Sequence, residues 1–277
     1  MWPFTRHPIV PVLRFTGPIG MATPLRPGIS LTSYAGAIEK AFNLAKTPSV
    51  AILINSPGGS PVQSNLIFKR IRQLAEEKKK RVYVFCEDVA ASGGYFLAVA
   101  GDEIYADPSS IVGSIGVISA SFGFVEAIDK LGIQRRVHTA GLNKSTLDPF
   151  LPEKPEDIER LKRLQSDVHD VFIGVVKERR LGRLKAPDAE LFTGAFWAGQ
   201  QAKELGLIDG IADVRSKMRE LHGDKVLLKV VAPERPGLLG RARRFAATSG
   251  GGWNGQAIAD DIVSAVETRA LWSRYGI

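Results

Sequence analysis

The sequence predicts an α/β fold with a mostly parallel sheet covered by helices, and two of its features carry that expectation. Near-continuous apolar segments of strand length alternate with longer amphipathic segments of helical spacing, and glycine-rich turns mark the junctions. Continuous apolar strands suit burial on both faces, and repeated β and α units joined by right-handed crossovers lay the helices against a parallel sheet.

The first strand is residues 11–17, closed by Thr16-Gly17-Pro18, and residues 31–46 follow as a helix with Tyr34, Ile38, Ala41, Phe42 and Ala45 on one face. Residues 50–55 form a second strand, 56–60 a glycine turn, and 62–78 a helix with Val62, Leu66, Ile71 and Leu74 aligned. The pattern recurs as a strand at 82–86, a loop at 87–91, a short apolar helix at 92–99 and a strand at 103–106. Beyond a loop at 139–155, a long helix is marked by Ile158, Leu161, Leu164, Val168, Phe172 and Val175, and it ends near Leu181 and Gly182. Residues 192–209 read as a turn and then a helix stopped at Gly206, followed by a helix at 214–221 and a strand at 226–231. A stretch rich in glycine and arginine, 237–252, reads as a linker to a last, semi-detached helix at 256–273 with Trp272 near its end. The expected organisation is one domain over 1–236, with its core at about 11–213, and an appendage over 237–277.

Composition narrows the function classes. The chain has 277 residues, 44% hydrophobic and 24% charged, enough for a sizeable core. No apolar run approaches the ~20 residues of a membrane-crossing helix, and Pro3, Pro8 and Pro11 interrupt the opening segment, so neither a spanning segment nor a secretory signal is expected. The expected location is the cytoplasm or the periphery of the cytoplasmic membrane. The single cysteine, Cys86, cannot form an internal disulfide and reads as buried and inert. A net charge of +8 would suit an anionic surface, yet its densest run, 78–81, reads as a solvated helix end. No nucleic-acid partner, cofactor or metal is expected.

The chemistry gathers at two glycine pairs, each after a buried strand: Ser56-Pro57-Gly58-Gly59-Ser60 and Ala91-Ser92-Gly93-Gly94-Tyr95. Each would present free backbone N–H groups at a helix entrance, where the positive end of the helix dipole stabilises an oxyanion. A strand, glycine turn and helix in series is also common without catalytic purpose. Together, one turn can supply donors and the other the Ser92 hydroxyl, as acyl transfer requires. A hydroxyl at Ser92 is equally expected as a helix cap. Of the four histidines, His7, His138, His169 and His222, only His138 is a credible base. Lys144 lies in a segment of few charges, 139–150, where desolvation could keep its amine neutral and so basic, although a surface lysine in a polar loop reads the same way.

In this order, Asn55-Ser56-Pro57-Gly58-Gly59-Ser60, Ala91-Ser92-Gly93-Gly94-Tyr95, Gly113-Ser114-Ile115-Gly116 and Gly141-Leu142-Asn143-Lys144-Ser145 resemble the signal peptide peptidase A family, the S49 serine peptidases, over about residues 11–213. The resemblance implies a ClpP/crotonase-like fold, a repeated β-β-α spiral with a helical C-terminal extension. It implies Ser92 as nucleophile, Lys144 as general base and the amides of Gly59 and Gly93 as oxyanion hole. Ser114 matches a serine that orients the lysine, and it reads equally well as a turn serine. Phe192-Thr193-Gly194 and residues 202–209 resemble the segment that closes the family's catalytic domain. The implied substrates are extended, largely apolar peptides such as cleaved signal peptides or membrane-protein fragments. The implied assembly is a homo-oligomer, an octamer as first expectation, in which adjacent subunits can share the dyad. Rival readings are a peptidase using His138, a crotonase-like acyl-CoA enzyme, and an inactive membrane-associated scaffold.

Overall fold

An eight-stranded sheet organises the chain, in the order β6-β5-β3-β2-β1-β8, with β4 paired to β3 and β7 paired to β4. It is seen in a computed structural model that describes residues 7–20, 28–233 and 255–276. The strands are β1 Ile9–Thr16, β2 Ser49–Ser56, β3 Arg81–Ala91, β4 Glu103–Ala106, β5 Ile111–Gly113, β6 Phe196–Ala198, β7 Gly210–Ile211 and β8 Leu227–Val231. The helices are α1 Leu31–Asn43, α2 Pro61–Glu77, α3 Gly93–Ala98, α4 Val125–Lys130, α5 Pro155–Arg179, α6 Asp188–Leu191, α7 Gly199–Glu204, α8 Val214–His222 and α9 Gly255–Ser273. All pairings are parallel except that of β5 with β6. The expected α/β fold with a mostly parallel sheet is the fold observed.

Both faces of the sheet are covered, which is why the strands are apolar along nearly their whole length. Leu13, Phe15, Ile52 and Ile54 meet Ile38 and Phe42 of α1 and Ile67 and Ile71 of α2 on one side. Val10, Val12, Ala51, Tyr83 and Phe85 meet Met218 of α8 on the other. Cys86 is buried, and that burial pushes its thiol up to about 12. Local chemistry starts the helices on time: Ser30 and Ser33 close a capping box at α1, and the Ser60 side chain caps α2 at Gln63 N, with Pro61 in the first turn.

Residues 87–91 are strand where a loop was expected. The register between β2 and β3 shifts from Ile54 opposite Cys86 to Ser56 opposite Ala90, a bulge that takes up Glu87 and Asp88. The prolonged β3 then has two neighbours on one side, β4 along Tyr83–Cys86 and β5 along Val89–Ala91. The short strands β5, β6 and β7 were not expected from the sequence either, since two or three residues are too few to show alternation. The linker at 237–252 lies outside the described residues. No helix among the described residues is long and apolar enough to cross a membrane.

A buried ion pair ties the C-terminal half to the sheet. Arg180, 1% exposed, donates to Gly206 O at 3.0 and 2.7 Å and to Asp209 Oδ2 at 2.7 Å. The same carboxylate oxygen accepts from Ile104 N of β4 at 2.7 Å. Asp209→Ala leaves a buried guanidinium without its counter-charge and should lower stability by about 3–5 kcal/mol. Denaturant unfolding followed by circular dichroism measures that loss.

Candidate functional site

Ser92 stands where β3 breaks into α3, with φ 52° and ψ −121°. An L-residue held there costs of order 1–3 kcal/mol, and such strain persists only where the surroundings impose it. Its backbone is pinned on both sides: Ser92 N donates to Gly113 O at 2.8 Å and Phe96 N donates to Ser92 O at 2.9 Å. The side chain makes no capping hydrogen bond, although the residue occupies the N-cap position. Among the described residues the Ser92 hydroxyl is therefore not consumed by structure.

The two glycine turns meet around it. A Cβ at Gly58 would fall 2.7 Å from Ser92 Cβ and 2.9 Å from Gly93 N, and one at Gly93 would fall 3.3 Å from Gly59 N. Ile19 clamps the first turn, donating to Gly58 O at 2.8 Å and accepting from Ser60 N at 2.9 Å. Ser56 Oγ donates to Gly17 O and accepts from Gly58 N. Neither Gly59 N nor Gly93 N donates a hydrogen bond among the described residues. Two free amides thus lie side by side beside a free hydroxyl.

Ser114 joins this group through the sheet. Ala91 pairs with Gly113, so the residues that follow, Ser92 and Ser114, leave adjacent parallel strands together. Ser114 is buried, has φ 53°, and donates its amide to Ala195 O at 2.6 Å. Its hydroxyl lies 3.3 Å from the hydroxyl of Tyr275. No motif announces Tyr275, which follows the last helix, and reasoning from sequence missed it.

Lys144 is not part of the cluster within one chain. It sits in a turn, its amide donating to Gly141 O at 3.3 Å, and its side chain is exposed with no hydrogen-bond or ion-pair partner among the described residues. The surrounding segment, 117–153, is held by its own contacts: Phe124 stacks on Phe150, and Arg135 pairs with Asp148, whose carboxyl that guanidinium keeps below the usual range. No histidine replaces it. His138 is exposed, His169 Nε2 lies 3.0 Å from Ile115 O, and His222 Nε2 lies 2.9 Å from Ser49 Oγ. No group of three or more His, Cys, Asp or Glu that could hold a metal occurs among the described residues.

Comparison with known proteins bears on this arrangement. The family described as Peptidase family S49 matches residues 74–227, more than half of the chain. The chain belongs to peptidase family S49. A Synechocystis protein provisionally named as a protease is 32% identical over 275 residues, 95% of this chain and 91% of that protein. The chloroplastic serine protease SPPA of Arabidopsis thaliana is 33% identical over 169 residues, 60% of this chain and 24% of that protein. A Brucella abortus protein named Na(+)/H(+) antiporter NhaA is 57% identical over 273 residues, 97% of this chain but only 37% of that protein's length. As an S49 member, the chain has both glycine turns and Ser114 assembled in one copy and Lys144 apart from them.

Because Gly58 touches Ser92 directly, Gly58→Ala should displace the hydroxyl and lower the rate of Ser92 labelling by a fluorophosphonate at least about tenfold, the scale set by misplacing a reacting group. Mass spectrometry of the labelled peptide measures it.

Proposed function

We propose that this chain is a serine endopeptidase in which Ser92 is the nucleophile and Lys144 the general base. The observation that carries the reading is a strained serine whose hydroxyl, like the neighbouring amides of Gly59 and Gly93, has no hydrogen-bond partner among the described residues. Strain of this kind at a strand-to-helix turn is a feature of nucleophiles presented for attack.

The neutral Lys144 amine takes the Ser92 proton as Oγ attacks the scissile carbonyl, and the carbonyl oxygen becomes an oxyanion held by the two amides. Collapse of the tetrahedral intermediate expels the amine of the leaving peptide, which receives the proton from the Lys144 ammonium. Water, deprotonated by the same amine, then attacks the ester and returns Ser92. Ser114 positions the amine through its hydroxyl without adding charge.

Lys144 reaches this site from an adjacent copy of the chain. The segment that carries it exposes Ile118, Phe122, Leu131, Ile133 and Leu142, the last fully, and α4 buries none of its residues. Apolar side chains exposed together on one segment suit an interaction face. Supplying the base in trans gives that face an occupant, in a homo-oligomer for which an octamer is the first expectation. Extended apolar peptides, such as cleaved signal peptides or membrane-protein fragments, are the proposed substrates. Support for peripheral contact with a membrane comes from the charge of +8 and from the antiporter name carried by the longer Brucella relative. Ion transport itself is not proposed, because the likeness covers 37% of that relative.

Ser92→Ala and Lys144→Ala should each abolish hydrolysis of a fluorogenic apolar peptide. Mixing and reassembling the two inactive variants should restore part of the activity, since an intact serine then meets an intact lysine across an interface. Mixtures that stay inactive, with wild-type subunits recovering after the same treatment, would reject the shared dyad.

A further inference from the structure

Tyr275, just past the end of α9, is the point at which the C-terminal helix meets the body of the protein. Its ring is buried, edge-on to Phe196 of β6 with centroids 5.2 Å apart, in a small cluster with Val89 and Ala91 that Ile111 and Trp272 flank. Its hydroxyl lies 3.3 Å from Ser114 Oγ and 3.4 Å from Pro57 O, and so it reaches both the first glycine turn and the residue that follows β5. Within the helix, Val263 and Val266 are 56% and 64% exposed.

We propose that the segment after α9 is an intramolecular plug, in which Tyr275 occupies the position beside Ser114 that the Lys144 amine needs. The inference rests on the peptidase reading, in which Ser114 positions that amine. In this arrangement the phenol and the amine compete for the buried Ser114 hydroxyl, so the site is inactive while Tyr275 is seated. The contacts suit a removable plug rather than a permanent support. Both hydrogen bonds are longer than the usual 2.7–2.8 Å mode for hydroxyl donors, and the apolar footing is a handful of side chains. An arriving subunit, or a peptide substrate, competes for the same space and shifts the population towards the open state.

The test uses the full chain and two readouts. In a Ser114→Cys background, adding Tyr275→Ala should speed modification of the introduced thiol by methyl methanethiosulfonate about tenfold, the factor expected for a plug seated about nine-tenths of the time. Cys86, buried with its thiol pushed up to about 12, does not compete. With Ser114 intact, Tyr275→Ala should raise fluorophosphonate labelling of Ser92 and peptide hydrolysis by a similar factor. Trp272→Ala, which thins the apolar footing and leaves Tyr275 in place, should move both readouts the same way. Unchanged thiol modification overturns the plug whether or not the wild-type chain hydrolyses peptides. Faster modification with unchanged or lower hydrolysis overturns its inhibitory role and makes Tyr275 a support for Ser114. Faster modification with no labelling and no hydrolysis by any variant removes the peptidase reading and, with it, the role of the plug.

Discussion

Everything at the site depends on how closely two backbone turns approach each other. Gly58 and Gly93 touch so tightly that a single methyl on either would overlap the opposite turn or Ser64. That proximity leaves the amides of Gly59 and Gly93 neighbours with no acceptor among the described residues, and it crowds Ser92 into a backbone conformation an L-residue avoids. Unsatisfied donors and backbone strain are both costs of folding. They are tolerable here because the surrounding sheet is covered on both faces and cannot relax.

The sheet supplies that rigidity through the length of β3. Its bulge lets one strand serve β4 along its first half and β5 along its second, so the residue after β3 and the residue after β5 emerge together. Ser92 and Ser114 are neighbours for that reason alone, although 22 positions separate them in the chain. The Ser92 amide bonded to the Gly113 carbonyl locks the two exits in register. On the far side, the Arg180 and Asp209 pair fastens the end of α5 and the Gly206 turn to β4. The platform is therefore braced on either side of the chemistry.

Two segments leave this platform, and they behave differently. Residues 117–153 carry Lys144 outward with Phe122, Leu131 and Leu142 in solvent, whereas the end of α9 turns inward and buries Tyr275 against Ser114. An amine held away from the serine and a phenol held against Ser114 describe one arrangement, and in the proposed scheme assembly and unplugging act on the same hydroxyl. The proposed competition for that hydroxyl needs no motion of the sheet.

Local chemistry was legible in the sequence wherever it acts over a few residues. Periodicity placed β1, β2, α1, α2, α5 and α8 close to their observed bounds, and the paired glycines pointed to free amides at two turns. The family motifs brought Ser92, Gly59, Gly93 and Ser114 together in thought, and the fold brings them together in space. Tertiary structure alone decided the rest. The bulge hid the second half of β3 behind Glu87 and Asp88, because a charged pair reads as a loop until its strand neighbours are known. Strands of two or three residues have no period to detect. Lys144 and Tyr275 show the limit most plainly: which of them lies beside Ser114 depends on contacts between residues far apart in the chain or on separate chains, and a one-dimensional pattern contains no term for either.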